Sequence, residues 1–129
     1  MTQAALTGRR VMIVEDELLI AMLIESMLDD ENCTVVGPYA AFDVALAAAG
    51  REALDAAVLD INLGGQMVFP VGDALEERGI PFLLMSGYGD LTLPSNRRHW
   101  PVCVKPVRND ELISTLTRLV TNGFPTPKM

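Results

Sequence analysis

The sequence is poor in histidine, cysteine and clustered positive charge. It has one histidine, His99, and two cysteines, Cys33 and Cys103. The cysteines form no CxxC or similar pair, which argues against a thiolate metal site. Each lies in an apolar, strand-like stretch and reads as a buried thiol, which suits a reducing compartment. His99 lacks the neighbours that metal binding or phosphoryl relay would need, and is expected on a surface loop. Lys and Arg number 10 against 17 Asp and Glu, so the net charge is −7. The only adjacent basic pairs are Arg9-Arg10 and Arg97-Arg98. They are too small a footprint for nucleic acid, whose phosphates call for clustered Lys and Arg. The longest apolar run, Leu18 to Ile24, has seven residues, where a membrane span needs about 20. Residues 1–8 lack the apolar stretch of a secretory signal. The expectation is a soluble, cytoplasmic protein that binds neither membrane nor nucleic acid.

What is present fits one globular domain. The chain has 129 residues, 50% of them hydrophobic and 21% charged, enough for a single core. Short apolar runs alternate with helical periods. Val11 to Val14, Cys33 to Gly37, Ala56 to Leu59, Pro81 to Met85 and Val102 to Val104 read as five strands. Between and after them, helices are expected over Glu17 to Asp30, Ala40 to Ala49, from Pro70 to Gly79, and over Asn109 to Asn122. In the first helix Ile20, Leu23, Ile24 and Met27 make a core face. Gln66 to Phe69 reads as loop or a short extended piece, and Trp100 as packed beside the fifth strand. Strands alternating with helices imply parallel βαβ units, hence a doubly wound α/β sheet with both faces covered. Ser86 to Pro101 breaks the pattern with two glycines, two prolines and no helical period. The fourth helix is therefore predicted to be short or irregular. The domain is expected over residues 9–122, with flexible ends at 1–8 and 123–129.

In an open parallel sheet, ligands bind beyond the carboxyl ends of the strands. Glu15-Asp16 follow the first strand, Asp60 the third, Ser86 the fourth and Lys105 the fifth. Converging carboxylates repel one another unless a cation compensates, and an all-oxygen donor set suits Mg²⁺. A carboxylate nucleophile, a metal, an ammonium and a hydroxyl are the parts that phosphoryl transfer uses. Taken singly, each residue is equally well a helix start, a turn or an exposed side chain; their joint arrival at one sheet edge is what carries the reading.

The ordered set Val-Glu-Asp at 14–16, Val-Leu-Asp at 58–60, Met-Ser-Gly at 85–87 and Val-Lys-Pro at 104–106 resembles a response-regulator receiver domain over about Arg10 to Thr121. The resemblance implies a five-stranded flavodoxin-like sheet of order 2-1-3-4-5. It implies Asp60 as the phosphoacceptor. Asp16, Glu15 and the backbone carbonyl of Asn62, with Asp60, are the implied Mg²⁺ ligands. Ser86 and Lys105 would bind the phosphoryl group, and Pro106 would follow a cis bond. Three features depart from the usual family pattern: Gly64 replaces a common proline, Val102 replaces a common aromatic, and the stretch before Lys105 is short. With the Gly64-Gly65 pair and Leu84-Met85-Ser86-Gly87, these traits are similar to those of a subgroup of single-domain receivers from alphaproteobacteria.

The implied partners are a sensor histidine kinase or phosphotransfer protein, and a downstream protein that reads the signal. The domain would catalyse only its own phosphorylation and dephosphorylation. Leu18, Leu19 and Met22, apolar beyond the core face of the first helix, are the expected kinase-docking surface. Asn62 and Tyr88 are expected to flank the water that hydrolyses the acyl phosphate, and Gly87 to begin the segment that responds to it. Competing readings meet obstacles. A haloacid-dehalogenase-like hydrolase needs a second Asp where Asn62 stands. A flavodoxin-like cofactor binder needs a hydroxyl-rich loop where Glu15-Asp16 would repel phosphate. An inactive receiver that serves only as a binding module is the remaining alternative.

Overall fold

The computed structural model describes residues 5–87, 93 and 95–124. In chain order its elements are β1 (Arg10–Val14), α1 (Leu18–Asp30), β2 (Thr34–Tyr39), α2 (Phe42–Arg51), β3 (Ala56–Asp60), β4 (Asn62–Leu63), β5 (Gln66–Met67), α3 (Phe69–Glu77), β6 (Phe82–Ser86), β7 (Val102–Val104) and α4 (Asn109–Asn122). Five strands form one parallel sheet in the order β2-β1-β3-β6-β7. With the short pair β4-β5 set aside, this is the expected 2-1-3-4-5 order. The central strands β3 and β6 are buried throughout, because helices cover both faces. Alternation splits their side chains between two cores. Met12, Val14, Ala57, Leu59, Phe82 and Leu84 pack with α2 and α3; Val11, Ile13, Ala56, Val58, Leu83 and Met85 pack with α1 and α4. Among the described residues no helix is long and apolar enough to cross a membrane.

Several expectations are refined. In α1 the buried residues are Ala21, Ile24 and Leu28, whereas Leu23 is 51% exposed. Residues 18–24 are apolar all round the helix, so more than one face satisfies the period, and the buried face is the one that carries Ala21, Ile24 and Leu28. Strand β2 does not stop at Gly37. It continues through a cis Gly37-Pro38 bond to Tyr39, and the β1–β2 register shifts between Met12 and Val14. Gly37 has φ +96°, and an added Cβ would lie 2.9 Å from the Tyr39 nitrogen and 3.0 Å from the Ile13 oxygen. The extended piece near Gln66 is a real two-stranded hairpin, β4-β5.

Between β6 and β7 the described residues contain a 3₁₀ turn, Ser95–Arg97. Trp100 sits under α3 rather than beside β7. Its ring centroid is 4.8 Å from that of Phe82, and it packs against Gly72. His99 is no free loop residue: its Nε2 pairs with the Glu76 carboxylate of α3, and its ring lies 5.5 Å from that of Phe124. Arg97 pairs with Asp73 at 2.6 and 3.0 Å. The packed structure also reaches past the expected limits 9–122 at both ends. Leu6 is fully buried, and Phe124 stacks edge-on against Phe82 at 5.0 Å.

Candidate functional site

Each sheet strand except β2 delivers a polar group to the same rim. Glu15 and Asp16 follow β1, Asp60 ends β3, Ser86 ends β6 and Lys105 follows β7. The β2 shift has a function here: it brings the Tyr39 carbonyl to accept the Glu15 N–H at 3.0 Å, which fixes the backbone at the first acid. The Glu15 side chain then folds back under the rim, and its Oε2 accepts the Glu17 N–H at 3.1 Å. Glu15 is 1% exposed and Asp60 5%, while Asp16 is exposed. The Ser86 residue is buried, and its carbonyl accepts the Lys105 N–H at 2.7 Å, which sets the height of Lys105 on the rim. The Lys105-Pro106 bond is cis, as expected.

Lys105 is the electrostatic hub. Its Nζ lies 3.0 Å from Glu15 Oε1, 3.3 Å from Asp60 Oδ2 and 3.9 Å from Glu17 Oε1. Burial alone would lower the ammonium's pKa, but the hydrogen bond to Glu15 and the charges of Asp60 and Glu15 carry it above its ordinary value. Asp60 moves the other way from a normal acid. Burial first, then the Glu15 charge, push it up to about 7 against the pull of Lys105. One ammonium does not balance this many carboxylates. Oxygens of Glu15, Asp16 and Asp60 lie within 4.8 Å of one another, so the cluster could hold a metal ion. The donors are all carboxylate oxygen, one is exposed, and the remaining repulsion is what a divalent cation relieves; this chemistry fits Mg²⁺.

The hairpin supplies contacts that the sequence reading missed. Gly64 N–H donates to Asp16 Oδ2 at 3.0 Å, Asn62 N–H to Asp60 Oδ1 at 3.4 Å, and Gly65 N–H to Asn62 Oδ1 at 2.8 Å. A Gly-Gly pair is a hairpin signal, and it could have revealed this turn. Glu17 was also missed as the third acid near Lys105. Leu18, Leu19 and Met22 are exposed on α1, at 72%, 80% and 54%. A groove of about 320 Å³ lies between α1 and the Lys105-Pro106 turn, lined by Glu17, Ile20, Leu23 and Val107 among others. Gly87 is exposed just beyond Ser86, and Tyr88 lies outside the described residues.

No protein-family model and no curated protein matches the chain. Solved structures do. SdrG from Sphingomonas melonis Fr1 is 41% identical, with 91% of this chain and 98% of that one covered and a TM-score of 0.76. The response regulator PhyR from Brucella abortus is 26% identical over 93% of this chain and 51% of that one, with a TM-score of 0.76. A CheY-like response regulator receiver domain protein from Methanospirillum hungatei JF-1 shares the fold, with 22% identity, 91% and 97% coverage and a TM-score of 0.80. With the rim of acids, hydroxyl and lysine at the strand ends, these likenesses show that the chain belongs to the response-regulator receiver domains and has a phosphoreceiver signalling role.

Proposed function

We propose that Asp60 accepts a phosphoryl group from a phosphohistidine on a sensor kinase or phosphotransfer protein, and that a partner protein reads the result. The observation that carries this is Asp60 itself, a buried acid at the end of a central strand, 3.3 Å from a lysine and within reach of two more carboxylates. An Asp60 carboxylate oxygen forms the new O–P bond; the N–P bond breaks and its electron pair returns to the imidazole. Lys105 pairs with the incoming phosphoryl oxygens, and the Ser86 hydroxyl donates to another. Asp16, Glu15, Asp60 and the Asn62 carbonyl would hold Mg²⁺. The β4–β5 pairing supports the carbonyl's part, since Asn62 N–H already points away from β5 to Asp60. When bound, the cation supplies positive charge to the transferring group. Water later attacks phosphorus, releases orthophosphate and restores the carboxylate. The chain acts on no separate substrate, so it is a signalling component rather than an enzyme.

The exposed α1 residues Leu18, Leu19 and Met22 are the surface on which the phosphodonor's helices dock. The output passes through protein contact, as expected of a relative of SdrG and PhyR. Acetyl phosphate labelling tests the reading. With Mg²⁺ the protein gains one phosphoryl group that is labile to alkali and hydroxylamine, and neither the chelated protein nor Asp60→Asn gains it. Equal labelling of Asp60→Asn overturns the proposal, and no labelling at all points to the inactive binding module.

A further inference from the structure

Of the three acids in the cluster, Asp16 is held differently. Lys105 pairs with Glu15 and Asp60, and Glu15 and Asp60 are buried. Asp16 is exposed, and among the described residues no cation is recorded within ion-pair distance of it. An exposed carboxylate on its own samples several rotamers, and fixing one costs entropy each time a ligand binds. Here the main chain has already made the choice. Gly64 N–H, from a turn 48 positions along the chain, donates to Asp16 Oδ2 at 3.0 Å.

The turn that presents this N–H needs both glycines. Gly64 has φ +60° and Gly65 φ +91°, the left-handed pair of a two-residue hairpin between β4 and β5. The Asn62 side chain closes it, because its Oδ1 accepts the Gly65 N–H at 2.8 Å. The same residue's N–H reaches Asp60 Oδ1 at 3.4 Å. One short turn thus donates to two of the three acids. A proline at the Gly64 position has no N–H and could not make this contact.

We propose that the Asn62–Gly65 turn is a positioning clip for the cation site: the Gly64 amide orients Asp16, and the Asn62 side chain locks the turn that presents it. The inference rests on the reading that the acids hold Mg²⁺, and it adds residues that touch neither metal nor phosphoryl group through their side chains. Groups that orient a metal ligand influence affinity without binding the ion.

The test is Mg²⁺ affinity of the unphosphorylated protein, from titrations followed by backbone amide resonances. Asn62→Ala removes the lock, and Gly64→Pro removes both the donor and the left-handed conformation that presents it; each is expected to weaken Mg²⁺ binding by about tenfold. Gly79→Ala is the control. It places a side chain on another left-handed glycine, at φ +74° with open space around it, but at the end of α3. Its affinity should stay within about twofold of the parent's. If Gly64→Pro fails to fold, Asn62→Ala, on an exposed turn, decides alone. An Asn62→Ala protein with a native amide spectrum and unchanged affinity overturns the clip while leaving the Mg²⁺ reading intact. A comparable loss in Gly79→Ala also overturns it. A parent that binds no Mg²⁺ overturns both.

Discussion

At Asp60 burial and the Glu15 charge oppose ionisation, and only Lys105 favours it. The folded value is pushed up to about 7 from 3.8, so between those pH values the native chain retains a proton that the unfolded chain has released. Stability from this group is therefore fully present below pH 3.8 and lost as pH rises through about 7. With EDTA present, Asp60→Asn should be more stable than the parent at pH 8, and the advantage should shrink toward pH 5. Urea midpoints at both pH values measure this, and an advantage independent of pH would contradict it. The residues of this rim were largely legible in the sequence, since a polar group directly after a buried strand has few other places to go. Glu17 and Gly64 were not. Glu17 approaches Lys105 only because the chain turns into α1, and Gly64 acts through a backbone N–H that any residue but proline carries.

Among the elements, strands were easier to read than helix faces. The runs at β3 and β6 announced themselves because both of their faces are covered, whereas the ring of apolar residues on α1 allowed several orientations and concealed the burial of Ala21. The hairpin β4-β5 stayed ambiguous because two-residue strands have no period to read. Gly72 was a signal passed over: a glycine inside α3 sits where an added Cβ would lie 2.9 Å from both Phe82 Cζ and Trp100 Cη2. Both rings are fully buried and have nowhere to retreat. Alanine favours a helix over glycine by about 1 kcal/mol, but the overpacking costs about 1–3 kcal/mol and should prevail. Gly72→Ala is therefore expected to lower the thermal midpoint, and Gly50→Ala in α2, with open space around it, to raise it. A Gly72→Ala midpoint at or above the parent's would show that the aromatic cluster yields.

For the whole molecule, the expected architecture and strand order were recovered. Leu6 and Phe124, outside residues 9–122, pack against the cores, and that anchoring depends on cavities that only the assembled layers create. The same scale governs partner choice. Leu18, Leu19 and Met22 form an apolar surface beside the rim, so Met22→Glu should slow phosphotransfer from a histidine kinase by about tenfold, if a buried charge costs at least 1.4 kcal/mol at that contact. Labelling by acetyl phosphate, which needs no docking, should be unchanged. Equal loss with both donors would place Met22 in the chemistry instead.

The rim groups come from β1, β3, β6 and β7, between Glu15 and Lys105. No contiguous stretch of chain contains a working set. A half-assembled chain, or one cleaved between its outer strands, would have acids without their lysine and nothing with which to take up a signal. The chemistry therefore doubles as a proofreader of assembly: a molecule that can be switched on is one whose strands have all found their places.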